Sequence, residues 1–165
     1  STRVRHKSLT PRALGNLHDV SEPQNITSPL LALPAMDVDR KRIETAMHES
    51  VQTPDSYLNE IASHLIVAGG KRLRPVLAVA AAQINGVVAS EDAVRGGVSC
   101  ELVHLGSLYH DDVMDEAPLR RGAASANARW DNTVAILTGD FLFARASDIL
   151  ADLGPEAVRD RKSVV

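Results

Sequence analysis

From Asp37 onward the chain repeats one pattern: a stretch with apolar residues three or four apart, then a glycine or proline stop. Asp37 to Val51 carries Ile43 and Met47 four apart, with charged residues between them. Thr53-Pro54 offers an N-cap followed by proline at the first helical position. The second stretch runs through Leu58, Ile61, Leu65 and Ile66 and stops at Gly69-Gly70. A third, PVLAVAAAQI, ends at Asn85-Gly86. Ser90 opens a fourth, with Glu91 and Asp92 where acids suit the positive end of a helix dipole. Its periodicity persists to about Asp115, which makes it the longest element. EAPLRRGAAS is a loop marked by Pro118 and Gly122. A fifth stretch covers about Asn132 to Leu153, before Gly154-Pro155, and EAVRDRKSVV begins another element. There is no internal repeat and no strand alternation of useful length. The spacing predicts an all-α protein.

Composition agrees. The aromatic share is only 3%, and the apolar residues, 44% of the chain, are mostly Ala, Val and Leu, which suits close-packed helices better than sheets. A length of 165 residues suggests one domain or part of one. A formal charge of −3 provides no large basic field for nucleic acid or an anionic membrane. No apolar run approaches the roughly 20 residues of a spanning helix. Cys100 has no partner for an internal disulfide, so a reducing, cytoplasmic setting is expected. It is read as a small buried thiol. Residues 1–36 stand apart. They begin with Arg3, Arg5, Lys7 and Arg12, carry no acid before Asp19, and continue into proline-rich polar sequence. A disordered or extended head is the expectation, with a transit peptide as the alternative and Leu30, Leu31 and Leu33 docking on the body. Residues 37–165 are expected to form the N-terminal part of a helical domain.

The chemistry is concentrated in HDDVMDEAPLRRG, at the C-terminal end of the longest helix. Asp111 and Asp115 share a face about 6 Å apart along the axis, with Asp112 on the same half of the helix. Two carboxylates at that distance repel by about 3 kcal/mol at an effective dielectric of about 20. They also occupy the end where the helix dipole disfavours negative charge. A divalent cation removes both penalties, and magnesium suits oxygen ligands drawn from one or two carboxylates, phosphates and water. Arg120 and Arg121 follow in a short loop. They either form surface salt bridges with the acids, worth little, or help to hold a polyanion from the opposite side. The second reading is favoured.

A separate cluster, GGKRLRP at Gly69 to Pro75, places Lys71, Arg72 and Arg74 directly after two glycines. Such a turn lets the backbone approach phosphate closely while charge is concentrated beside it. The nucleotide P-loop spacing is absent. Two cation groups flanking an aspartate-rich helix imply two phosphate-bearing ligands.

GGKRLRP, ELVHLGSLYHDDVMDEAPLRRG and LTGDFLFARA, in this order, resemble the trans-isoprenyl diphosphate synthases, specifically their long-chain polyprenyl branch. The likeness runs from about Asp37 to Arg159. It implies an isoprenoid-synthase helical bundle around a central cavity, usually a homodimer. It also implies a Mg²⁺-dependent prenyltransferase that joins isopentenyl diphosphate to an allylic prenyl diphosphate and releases pyrophosphate. By motif position, Asp111 and Asp115 would ligate Mg²⁺ with Asp112 in support, and Arg120 would contact the allylic diphosphate. Lys71, Arg74, His104 and Arg121 would hold isopentenyl diphosphate. The helical wheel independently places His104 two turns before Asp111 and about 20° off its face.

The resemblance also assigns chain length to small residues below the aspartates. Gly106 and Ser107, with Val103 a turn further down, would leave room for a long-chain product. Close helix packing is the other reading of Gly106 and Ser107. Trp130 is read as an anchor for the junction between the fourth and fifth helices, and Gly139-Asp140 as packing with a local hydrogen-bond role. The family's second aspartate-rich motif is not found after Asp115. The expectation is therefore the N-terminal portion of such an enzyme, incomplete and inactive by itself. Two other readings compete. One is a non-catalytic diphosphate-binding fragment or subunit of a heteromeric synthase. The other is a class I terpene cyclase, which needs one diphosphate and leaves GGKRLRP unexplained. A lipid product would leave loose membrane association open.

Overall fold

The computed structural model describes residues 29–83 and 88–160. Residues 1–28 of the expected head, and the Asn85-Gly86 stop, lie outside them. Seven helices follow in order: α1 (Met36–Ser50), α2 (Ser56–Val67), α3 (Leu73–Ala82), α4 (Glu91–Met114), α5 (Ala126–Arg129), α6 (Asn132–Leu153) and α7 (Pro155–Asp160). One short hairpin, β1 (Leu119–Arg120) with β2 (Ala123–Ala124), lies between α4 and α5. The all-α expectation holds apart from that hairpin. Its loop is Arg121-Gly122, with φ of 53° and 80°, the paired left-handed backbone that two-residue hairpins prefer. Two-residue strands are too short to leave any alternation in the sequence.

Local chemistry explains most helix ends. Ser90 accepts from the Ala93 N–H at 3.2 Å to open α4, as its spacing predicts. Asp131 does the same for α6 through Val134 N at 2.8 Å. Gly154, at φ 100°, closes α6. The cap of α2 differs from expectation: it is Asp55, whose carboxylate accepts from Tyr57 N and Leu58 N at 2.9 and 3.2 Å. Thr53 instead donates its N–H to Asn59 Oδ1 at 2.7 Å. Either residue could cap, and the carboxylate gains from the helix dipole as well. Pro75 is the third residue of α3 rather than the first, still in the turn whose N–H groups have no intrahelical partner.

The two longest helices, α4 and α6, make the most extensive contact, and α3 and α1 cover other faces of α4. Fully buried Leu102, Leu105 and Leu142 belong to this core, each worth about 1.5–3 kcal/mol of burial. The axes approach closely at Gly106 and Gly139. A Cβ on Gly106 would lie 2.9 Å from the Gly139 carbonyl oxygen, and one on Gly139 would lie 2.3 Å from His110 Nε2. Only glycine fits at this crossing. Before α1, Pro29–Ala32 forms a 3-10 turn, and Leu30, Leu31 and Leu33 pack partly buried against the core.

Cys100 is exposed, contrary to the expectation of a buried thiol. The buried stripe of α4 passes through Val98, Ser99 and Leu102, and Cys100 falls on the outer side of the helix. Trp130 is half-buried, with its ring edge-on to His64 at 5.1 Å and Arg129 over it at 4.5 Å. Arg129 also pairs with Glu60 of α2. Trp130 thus ties α5 to α2, rather than joining the fourth long helix to the fifth.

Candidate functional site

The C-terminal end of α4 grades from core to solvent. Asp112 is completely buried, Asp111 is half-buried and Asp115 is exposed. Asp112 lies on the stripe formed by Val98, Leu102, Leu105 and Tyr109, so it faces the core. One of its oxygens accepts from Arg120 Nε at 2.7 Å and lies 2.5 Å from Arg120 Nη2. Its other oxygen, Oδ2, is buried without a hydrogen-bond partner. That hydrogen bond, and then the charges of Asp111 and Asp115, raise the Arg120 pKa against the opposing effect of burial. Arg120 therefore sits at the acidic tip.

Arg121 turns the other way. Its backbone is left-handed, at φ 53°, and its guanidinium donates to the carbonyls of Leu65, at 3.1 Å, and Gly69. These are carbonyls at the end of α2, where a cation complements the helix dipole. A Cβ at Gly70 would lie 2.8 Å from Arg121 Nη1, so glycine there permits the approach. The hairpin after α4 and the GGKRLRP loop thus meet. His64, whose ring nitrogen lies 2.7 Å from the Ala124 carbonyl, also holds the hairpin against α2. Burial chiefly lowers the Arg121 pKa, helped by Arg72 and Arg120 and opposed by Glu101. Arginine's reference value is so high that it stays charged.

The three cations of GGKRLRP have different environments. Lys71 is exposed. Arg72, at φ 48°, is buried, donating from Nε and Nη2 to Glu44 at 2.9 and 3.2 Å and from Nη2 to the Ile66 carbonyl at 2.8 Å. Its charge is committed to the fold. Arg74 keeps 48% of its side chain exposed and lies 3.8 Å from Glu101 Oε2.

His104 is half-buried one turn after Glu101. Burial lowers its pKa first, with Arg74 and Arg121 assisting and Glu101 and Asp111 opposing, so the ring is neutral near pH 7. Those contributions bring Arg74, Arg121, Asp111 and His104 into one electrostatic neighbourhood. Ser107 is half-buried and donates to the His104 carbonyl at 2.8 Å, while Val103 packs partly buried against the core. Gly106 faces α6 at the crossing described above. His110 Nε2 lies 3.0 Å from the Ile136 carbonyl and 3.5 Å from Asp140 Oδ1, which gives Gly139-Asp140 both packing and a local polar contact.

Sequence reasoning missed Glu44, Glu101 and Tyr109. The Tyr109 hydroxyl donates to the Ile61 carbonyl at 2.5 Å and accepts from Leu65 N at 3.4 Å. Burial pushes its pKa up, so it remains a donor. It pins α4 to α2 just before the aspartates. Their apolar stripe could have exposed both α4 residues, because Glu101 and Tyr109 interrupt or extend Val98, Leu102 and Leu105 at helical spacing.

Among the described residues, no group of three His, Cys, Asp or Glu is arranged to hold a metal ion. The stripe offers two carboxylates, half-buried Asp111 and exposed Asp115. Such an all-oxygen, incomplete set fits a hard cation that takes further ligands from phosphate and water.

The fold is of the isoprenoid-synthase class. It matches the crystal structure of polyprenyl synthase from Caulobacter crescentus CB15 complexed with calcium and isoprenyl diphosphate, with a TM-score of 0.67 and 36% identity. That match covers 74% of this chain and 37% of the other. A family profile described as Polyprenyl synthetase matches residues 55–164, and the chain belongs to this family. It is 50% identical over 118 residues to nonaprenyl diphosphate synthase of Mycobacterium tuberculosis (strain ATCC 25618 / H37Rv), covering 72% of this chain and 35% of the relative. It is 44% identical over 116 residues to heptaprenyl diphosphate synthase component 2 of Geobacillus stearothermophilus, covering 70% of this chain and 36% of the relative. The chain thus spans about a third of the length of these relatives.

Proposed function

We propose that this chain supplies the first aspartate-rich wall of a trans-polyprenyl diphosphate synthase, which condenses isopentenyl diphosphate with an allylic prenyl diphosphate. The meeting of the Arg121 hairpin with the GGKRLRP loop carries this reading. It groups cations apart from the Asp111–Asp115 stripe, as two diphosphates side by side would require.

Asp111 and Asp115 would hold Mg²⁺, with Asp112 fixing Arg120 beside them. When bound, the metal supplies charge neutralisation for the allylic diphosphate. Arg120, held through Nε and Nη2 by Asp112, turns its remaining N–H groups to phosphate oxygens and stabilises negative charge as the allylic carbon–oxygen bond breaks. Lys71, Arg74 and Arg121 hold the second diphosphate, and neutral His104 donates one ring N–H to it. The isopentenyl double bond attacks the allylic cation, and the proton then lost is taken by the departing pyrophosphate. An apolar, dry interior protects the cation.

Ser107 and Val103 put no large side chain below the aspartates, which supports a long product, whereas Gly106 is taken up by close packing of α4 on α6. A larger residue at 106 would be driven into Phe143 or α6 backbone. A homodimer working in the cytoplasm is the assembly expected of this function. Among the described residues no helix is long and apolar enough to cross a membrane.

A second reading is a subunit of a heteromeric synthase. The likeness to a protein named component 2 favours it. Incubation with Mg²⁺, radiolabelled isopentenyl diphosphate and several allylic primers tests the proposal. A longer chain containing this one should incorporate label into long prenyl products only when Mg²⁺ is present. Incorporation only after a second subunit is added would select the heteromeric reading. No incorporation under any of these conditions would refute both.

A further inference from the structure

Glu101 is an unusual choice of residue for its place on α4. Its neighbours along the buried stripe are Val98, Leu102 and Leu105, and it is itself only 2% exposed. A carboxylate buried for structural reasons is ordinarily satisfied by hydrogen bonds, because leaving the charge unpaired is costly. Glu101 is not satisfied in that way. Its Oε2 has no hydrogen-bond partner, and its closest cations stand at ion-pair rather than hydrogen-bond distance. Arg74 Nη1 is 3.8 Å from Oε2, and Arg72 Nη1 is 4.0 Å from Oε1.

Those two cations are not equivalent. Arg72 is buried and already donates through Nε and Nη2 to Glu44 and the Ile66 carbonyl, so only its unpartnered Nη1 is turned toward Glu101. Arg74 is half exposed, and Glu101 is the carboxylate beside it. Without an opposing charge, a half-exposed arginine samples many rotamers, and ordering it on a ligand costs side-chain entropy. A charge held rigidly in the core, one turn before His104, limits that freedom without neutralising the guanidinium in a close bidentate pair. The remaining N–H groups stay free for a ligand.

We propose that Glu101 is a positioning residue for the isopentenyl diphosphate side of the site, holding Arg74 across the α3–α4 contact and beside His104. This inference rests on the function proposed above. It assigns no direct substrate contact to Glu101, whose buried negative charge would repel a diphosphate.

The test is calorimetric binding of isopentenyl diphosphate and, separately, of an allylic prenyl diphosphate in Mg²⁺. It compares wild type, Glu101→Gln, Arg74→Ala and the double variant. Glu101→Gln should weaken isopentenyl diphosphate binding about tenfold, the scale of one ordered charge contact, and leave the allylic ligand within about twofold. In the Arg74→Ala background the same change should add nothing, because both variants remove one shared interaction. A purely structural role predicts losses for both ligands that add to the Arg74→Ala loss, and would overturn the inference. So would unchanged isopentenyl diphosphate binding in Glu101→Gln. If Glu101→Gln does not fold, Glu101→Asp retains the charge but withdraws it by one methylene. It should lower isopentenyl diphosphate affinity selectively by about threefold or more, and no selective loss overturns the proposal. Wild-type protein that binds neither ligand refutes the functional reading itself, a result distinct from all of these.

Discussion

Two buried aspartates in this molecule are treated in opposite ways. Asp39, in the first turn of α1, uses both oxygens. Oδ1 accepts from Arg42 at 2.7 Å, while Oδ2 accepts from Gln83 at 2.6 Å and from the Ala89 N–H at 2.9 Å. Arg42 also donates to the Ala89 carbonyl and pairs with Glu91. One carboxylate thereby joins α1, the end of α3 and the start of α4. Asp112, at the far end of α4, leaves Oδ2 unpartnered and shares its end of the helix with two more acids, which repel it and each other. At Asp39, where the charge serves the fold, both carboxylate oxygens are hydrogen-bonded. Where bonding capacity is left open beside crowded like charges, the residues are better explained by a ligand than by stability.

The largest effect should come from Asp39→Ala. It strands the Ala89 N–H, the Gln83 amide and part of the Arg42 charge in the interior, and should lower unfolding stability by about 3 kcal/mol or more. Denaturant titration measures this, and a change under about 1 kcal/mol would break the comparison from the structural side. The double variant Asp111→Ala, Asp115→Ala should do the reverse. Its stability should equal or exceed that of wild type, since a repulsive pair at the unfavourable end of a dipole is gone. Its Mg²⁺-dependent affinity for an allylic diphosphate should fall by about a hundredfold or more, roughly 2.7 kcal/mol.

The acid limb of stability sharpens the same contrast. Burial raises the Asp39 pKa, but hydrogen bonds from Ala89, Arg42 and Gln83 outweigh it and hold the folded value below the ordinary one. A depressed carboxylate contributes stability that is present above its unfolded value and is lost as pH falls through the folded value. Unfolding monitored by circular dichroism should therefore steepen below about pH 4. Asp39→Asn should flatten that limb, whereas the double Asp variant should retain it. The smallest effect is at a helix end. Asp131→Ala removes the cap of α6 and should cost about 1 kcal/mol in thermal unfolding without altering ligand binding.

The sequence made the helical skeleton legible because caps and stops are local signals. Ser90 and the Gly154-Pro155 stop appear where their chemistry predicts, and the two longest helices dominate the packing. The aspartate stripe and both cation clusters were also visible, since helical spacing fixes which residues share a face. The placement of buried charge was not. Asp39 sits four before Ile43 on the stripe that buries Met36 and Met47, and Glu101 sits beside Leu102. In both cases periodicity marks a core position while residue type argues for solvent. Only the tertiary partners, dozens of positions away, decide between them. The same is true of GGKRLRP, whose three cations look alike in sequence until Glu44 claims Arg72. The hairpin depended on Arg121 adopting a left-handed backbone, which residue identity does not suggest.

On the proposed function, the tip of α4 is a wall that holds metal and diphosphate. The most direct test is titration of an allylic prenyl diphosphate into the wild-type chain and the Asp111→Ala, Asp115→Ala chain, with and without Mg²⁺. Wild type should show saturable uptake that needs Mg²⁺ and vanishes in the double variant while its fold persists. Uptake that ignores both the metal and the two aspartates, or no uptake by folded wild-type protein, would contradict the proposed function.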